Sequence, residues 1–364
     1  MRLYNQRIDN VLAVVTLIFL AVFPLLASDF RVELMGKFLV YALFALSLNL
    51  VWGYTGLLSL GHAVFFGLGG YMLGLAYSLQ NGVPPFMSRF GIEEIPLVMR
   101  PLESVPLALL LGILVPGVVA GLIGYFIFTS KVSGTYFSII TLALAMLFEM
   151  FVVNMQAYTG GFNGLMGLPR FPVNGEPLPL MTYYFIVLGV TALAYLFTKW
   201  LMETHFGKVV KSIREHESRI QFFGYNPARF KIFVFTVSGM LAGLSGMLYV
   251  PMNGFISPQD VGVVMSTSVV VWLAIGGRGT LMGPVLGALA VNWLSNLLSE
   301  QYPTLWQLFL GAVVVLIVLF LPNGLYGTLE HWWKERSLHR AEKETKAVLL
   351  TESKVDLKKA GWRA

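Results

Sequence analysis

The longest charge-free stretches of this chain decide what it can fold into. No Asp, Glu, Lys or Arg occurs from Phe38 to Ser88, from Ser104 to Ser130, from Pro177 to Thr198, from Ile232 to Gln259, from Gly279 to Ser299 or from Gln301 to Leu329. A bilayer core is crossed by about 20 apolar residues in a helix, and only helices and closed barrels satisfy their backbone there. Runs this long exceed any barrel strand. The expectation is therefore an all-α integral membrane protein, a polytopic helical bundle of about eight to ten transmembrane helices. A charged fraction of 12%, against about 25% in soluble domains, excludes a soluble enzyme. With no cysteine, disulfides, thiolate nucleophiles and iron–sulfur clusters are excluded as well.

Ten apolar segments are candidate spans: Val11–Ala27, Phe38–Trp52, Leu57–Leu79, Val105–Phe128, Tyr136–Met155, Met181–Leu201, Ile232–Val250, Val263–Ile275, Thr280–Leu298 and Leu305–Leu321. The second, eighth and tenth are short, which suggests tilted, broken or re-entrant helices. With both termini cytoplasmic, the outer segments hold Arg31, Lys37, Arg89, Arg100 and Arg170. They also hold Asp29, Glu33, Glu93, Glu94, Glu103, Glu176, Asp260 and Glu300. Every other basic residue then lies inside, most of them in the 199–231 loop and after Pro322, as the positive-inside rule requires. The first segment follows Arg2 and Arg7 like a signal peptide, but it is long and ends in a poor Leu25-x-Ala27 site, so a retained helix is expected. Residues 1–327 read as the transmembrane region. Residues 328–364 read as a basic cytoplasmic tail, either a surface helix on anionic lipid or a solvated extension.

Several chemistries are missing. Gly36-Lys37 and Gly207-Lys208 lack the rest of a P-loop, so no ATP site of that type is present. His62, His205, His216, His331 and His339 show no metal-ligand spacing. Ser59 precedes His62 by three residues without an acid nearby, which fits a helix-packing segment better than a catalytic triad. Only Glu149 places a charge well within a span, too little for ion-coupled transport, and near a helix end it could instead be solvated. Gly117-x-x-x-Gly121 and Gly283-x-x-x-Gly287 have the spacing of close helix contacts. Gly56–Gly67 and Gly279–Ala290 resemble each other weakly, which hints at an internal repeat.

The 199–231 loop carries the clearest pattern. From Phe206 to Ile220 apolar residues recur at helical spacing among charges, until Gly224-Tyr225-Asn226-Pro227 breaks the run. Such an amphipathic helix between two spans is either a solvated connector or a docking element for a cytoplasmic partner.

Phe206-Gly207-Lys208, Ser212-Ile213-Arg214-Glu215, Gly224-Tyr225-Asn226-Pro227 and Ala242-Gly243-Leu244-Ser245-Gly246 resemble the signature region of the ABC-transporter permeases for branched-chain amino acids and their relatives. Gly53–Ala63, Gly134–Ser138 and Thr159–Gly164 match in the same order, over about residues 40–327. Within the family, Gly276–Leu281, Val291-Asn292-Trp293 and Leu321–Leu325 look most like the urea-permease branch. The 249–260 stretch points the same way.

The resemblance implies a membrane subunit that translocates urea, with branched-chain amino acids or short amides as alternative cargo. A stand-alone channel or secondary transporter is the competing class. It implies a second related permease, two cytoplasmic ATPase subunits and an extracytoplasmic solute-binding protein in the inner membrane, with lipid around the chain and no nucleic acid. No cofactor sits on this chain, and ATP with magnesium belongs to the ATPases. By position the coupling helix is Lys208–Gly224 in a loop of about 202–231. Ile213, Ile220, Phe222 and Phe223 are its apolar knobs, and Lys208, Arg214, Glu215 and Arg219 are polar partners. Gly224 ends it. An uncharged cargo is expected to pass hydroxyls, amides and aromatic faces: Ser59, His62, Tyr136, Ser138, Thr141, Glu149, Asn154, Ser266, Thr267, Ser268 and Trp272.

Overall fold

The computed structural model describes residues 2–306 apart from 133, 174 and 175, and then isolated positions between 308 and 328; for 2–9, 172 and 173 it describes the backbone alone. Most of the expected span Leu305–Leu321, and the tail beyond Thr328, lie outside the described residues.

The chain is a helical bundle. Its main elements are α1 (Arg2–Leu26), α2 (Asp29–Thr55), α3 (Ala63–Leu79), α4 (Val105–Thr129), α5 (Gly134–Asn154), α6 (Leu180–Glu203), α7 (His205–Glu215), α8 (Glu217–Phe222), α9 (Pro227–Asn253), α10 (Val263–Gly276) and α11 (Met282–Gln301). Helices α2, α4, α5, α6 and α9 are each long and apolar enough to cross a membrane. The only strands among the described residues are two-residue pieces. One pair, β1 (Leu165–Met166) with β2 (Phe255–Ile256), ties two loops at the end of the bundle opposite α7.

Helix α2 is the axis, with both faces buried along most of its length. It is longer than the expected Phe38–Trp52, because the charges that suggested a boundary are paired within the helix. Lys37 bridges Glu33 at 3.3 Å, and Arg170 meets the other Glu33 oxygen at 3.5 Å. Helix α9 packs against α4, α3 and α2. Its Gly239, Gly243 and Gly246 lie on the backbones of neighbouring helices, and a Cβ on Gly246 would fall 1.8 Å from the Phe66 carbonyl oxygen. Small residues let the helices approach closely, so dispersion and packing hold them where lipid supplies no hydrophobic drive.

The expected single span Leu57–Leu79 is not a single helix. Helix α2 stops at Gly56, whose φ of 80° suits glycine and whose N–H bonds back to the Trp52 carbonyl at 3.2 Å. Helix α3 starts only at Ala63, and the segment between them is unwound.

Candidate functional site

Unwound backbone inside a membrane bundle needs partners for every N–H and C=O it exposes, and here hydroxyl side chains provide them. Ser138 Oγ donates to the Leu58 carbonyl at 2.7 Å. The Leu60 N–H donates to Thr141 Oγ1 at 3.0 Å, and the Ala63 N–H to Ser266 Oγ at 3.1 Å. A Cβ on Gly61 would sit 2.0 Å from the Thr141 carbonyl oxygen, so the segment lies directly on the α5 backbone. His62 is fully buried, stacked on Phe44 and edge-on to Phe65. Its Nε2 lies 3.0 Å from Ser47 Oγ and 3.1 Å from Ser238 Oγ.

Of the residues expected to line a path, the structure therefore gathers Ser59, His62, Ser138, Thr141 and Ser266 around one unwound segment. It does not gather the others there. Thr267 and Ser268 bond to carbonyls of their own helix turn. Tyr136 is 65% exposed on the outer face of α5, and Asn154 is exposed at the end of that helix. Trp272 is buried with its ring 4.7 Å from Tyr41. Glu149 is half-buried with its carboxylate against Gly262, where a Cβ would fall 1.9 Å from Oε2. That position is the start of α10, where a negative charge is favourable.

At the opposite end, the expected helix Lys208–Gly224 is two helices. His216 is extended (φ −150°, ψ 87°), and α8 sets off in a new direction with Glu217 in its first turn. Ile213 is not a free knob: it is 4% exposed and packs into the protein with Val209 and Val210. Ile220 is half-buried. Phe222 and Phe223 project, 92% and 78% exposed. Gly224 has φ +81°, after which Asn226 caps α9 by accepting from the Ala228 N–H. Lys231 bridges Glu217 at 2.7 Å, holding α8 against α9. Lys208, Glu215 and Arg219 are exposed.

Arg214 is exposed like them, but its guanidinium reaches back to the bundle. Its Nη1 donates to the Gly53 carbonyl at the end of α2. One turn away, Asn49 Nδ2 donates to the Thr280 carbonyl at 2.7 Å, and its Oδ1 accepts from the Gly279 N–H at 2.9 Å. The end of α2 and the turn after α10 thus meet at Asn49, Gly53, Gly279 and Thr280, and Arg214 of α7 reaches both.

Sequence reasoning missed one cluster. Asp260 falls in an outer segment by sequence, and in the structure it is half-buried. Its carboxylate accepts from the Ser257 N–H at 2.8 Å and from Ser257 Oγ at 2.9 Å. The Tyr249 ring lies 5.8 Å from that of Tyr41, and Asp260 is an electrostatic neighbour of both. Burial pushes the Asp260 carboxyl up from its ordinary range. No spacing in the sequence joins Tyr41, Tyr249 and Asp260, which come from α2, α9 and the turn before α10.

A family model described as "Branched-chain amino acid transport system / permease component" matches residues 30–318. The high-affinity branched-chain amino acid transport system permease protein LivM of Salmonella typhimurium is 25% identical, covering 88% of this chain and 76% of its own. The protein of that name in Escherichia coli is 24% identical over the same shares. The ribose import permease protein RbsC of Haemophilus influenzae is 26% identical over 61% of this chain and 68% of its own. No solved structure matches the chain.

Proposed function

Because this chain belongs to the family of branched-chain amino acid transport system permease components, we propose that it is the membrane-spanning subunit of an ATP-driven importer whose cargo is a branched-chain amino acid. The family match across residues 30–318 carries this reading. The relatives named for branched-chain amino acids favour that cargo over urea, toward which the 276–281 and 321–325 blocks alone pointed.

In this reading the work is divided. ATP and magnesium act on separate cytoplasmic subunits that grip the α7–α8 platform through Phe222 and Phe223. Exposed aromatic pairs of this kind anchor protein interfaces. Motion of the platform reaches the bundle through Arg214, which holds the ends of α2 and, by way of Asn49, of α10. A second related permease completes the pathway, and an extracytoplasmic binding protein delivers cargo to the end bearing β1 and β2. The chain itself breaks no bond.

The experiment is uptake of labelled leucine and labelled urea by vesicles containing the complete transporter and its binding protein. ATP-dependent leucine uptake that excess urea leaves unchanged is expected. Urea uptake that excess leucine leaves unchanged would contradict the cargo.

A further inference from the structure

Helix α1 stands apart from the bundle. Among its described side chains only Leu20 and Pro24 are buried, while Val11, Val15, Ile18 and Val22 are exposed along its outer face. Two hydrogen bonds tie it to α6. Toward the β1–β2 end the Tyr184 hydroxyl donates to the Leu20 carbonyl at 2.8 Å, and toward the platform end Lys199 Nζ donates to Asn10 Oδ1.

Between these ties the two helices do not close on each other. A crevice of about 160 Å³ lies there, lined by Ala13 and Leu17 of α1, Thr191 and Tyr195 of α6, Leu39 of α2 and Met282 of α11. Its wall is almost wholly apolar, and the exposed Val14, Leu17 and Leu196 at its rim open it to the outside of the bundle. Packed proteins leave few voids larger than a water molecule, and an apolar one does not hold ordered water. Helix α6 is long and apolar enough to cross a membrane, so what meets the mouth of the crevice is hydrocarbon.

Charge marks one end of it. Thr191, Tyr195 and Lys199 follow at four-residue steps on one face of α6, and Asn10, Val14 and Leu17 share one face of α1. The Lys199–Asn10 bond therefore sits one turn beyond the crevice, about 12 Å from Thr191 along the helix. Trp200 beside it is exposed, as aromatic rings are at a bilayer interface. Among the described residues Lys199 forms no ion pair; its partner is the neutral amide of Asn10. Glu203, a turn further along α6, is exposed. A lysine near a helix end carries its ammonium to headgroup depth.

We propose that the crevice between α1 and α6 holds one acyl chain of an anionic phospholipid of the platform-side leaflet, with the phosphate on Lys199. The chain fills the gap that the two ties leave open and so fixes α1 to the bundle. The phosphate meets a charge that Asn10 does not neutralise, as basic groups between membrane helices meet anionic headgroups elsewhere. The site does not depend on the cargo, and an importer of either amino acids or urea would hold the same lipid.

The test is photolabelling of the complete transporter in nanodiscs of phosphatidylethanolamine. The probe is phosphatidylglycerol carrying a diazirine in one acyl chain, and labelled peptides are mapped by mass spectrometry. Residues 13–20 and 188–196 are expected to take several times more label than Ile139, Leu147 and Met150, which are exposed on α5 and sample boundary lipid. Lys199→Gln keeps a donor for Asn10 but removes the charge, so crevice label should fall about fivefold while label on α5 is unchanged. Thr191→Leu puts carbon into the crevice in place of a hydroxyl with no hydrogen-bond partner. It should melt like the wild type and lose most of the crevice label. Crevice label no higher than that on α5 would mean boundary lipid only and would overturn the site. So would full label in either variant, equal label from a phosphatidylethanolamine probe, or a crevice shielded from lipid by the second permease. Cargo does not enter the readout, so an error in the proposed cargo leaves the result standing.

Discussion

His62 shows how a single polar residue can be settled by hydrogen-bond bookkeeping. Ser47 Oγ donates to the Phe44 carbonyl at 2.7 Å, and Ser238 Oγ donates to the Ser47 carbonyl. Each hydroxyl has one proton, so both can only accept from the imidazole. Nε2 must carry the ring proton, and Nδ1, which has no partner, is left bare. The residue thus pins α2 to α9 at the start of α3, and its character is that of a packed aromatic with one polar edge. Nitrogen NMR of the protein labelled at histidine is expected to show a buried Nε2–H tautomer that disappears in His62→Phe. A buried Nδ1–H signal lost in that variant would refute the assignment. The sequence already suggested that Ser59 and His62 sit in a packing segment, because no acid lay near them. It could not reveal Ser47 and Ser238, which approach from helices 15 and 176 residues away.

At the level of elements, the two-helix platform separates roles that the sequence pattern had merged. Ile213 and Phe222 both lie on the apolar stripe, but the break at His216 sends one into the bundle and the other into the open. Ile213→Asp would bury a charge without a partner and should destabilise the protein by about 3 kcal/mol or more, read as a lower melting temperature in detergent. Phe222→Asp with Phe223→Asp should leave that temperature within about a degree, since exposed positions rarely contribute to stability, and should abolish capture of the ATPase subunits. Loss of stability in the double variant, or normal capture by it, would show the platform to be misread. Most helices were legible because apolar length alone defines them. The unwound segment 57–62 was not, because its sequence is as apolar as a helix. What unwinds it is Gly56 at φ 80° and hydroxyls on α5 and α10, which replace the lost backbone bonds. Only long-range contacts reveal those substitutes.

For the whole molecule, charge and packing divide the bundle into three zones. One end carries the basic α7–α8 platform, the other carries the acidic loops with Asp260 and the half-buried Glu149 against Gly262, and between them the described helices hold hydroxyls and aromatics. Among the five helices long and apolar enough to cross a membrane, α5 is the least buried, with Tyr136, Ile139, Leu147, Met150 and Phe151 exposed along it. It is a face open to lipid or, in the complex proposed above, to a second permease. In the function proposed above, movement of cargo is driven from the platform. The most direct measurement is labelled leucine accumulation in proteoliposomes, comparing the complete transporter with this chain alone. The complete transporter should accumulate leucine only with ATP on the α7–α8 side, and should lose accumulation with Phe222→Asp and Phe223→Asp. Leucine flux through this chain alone, without ATPase subunits, would contradict the proposal that it is the driven membrane subunit of an importer.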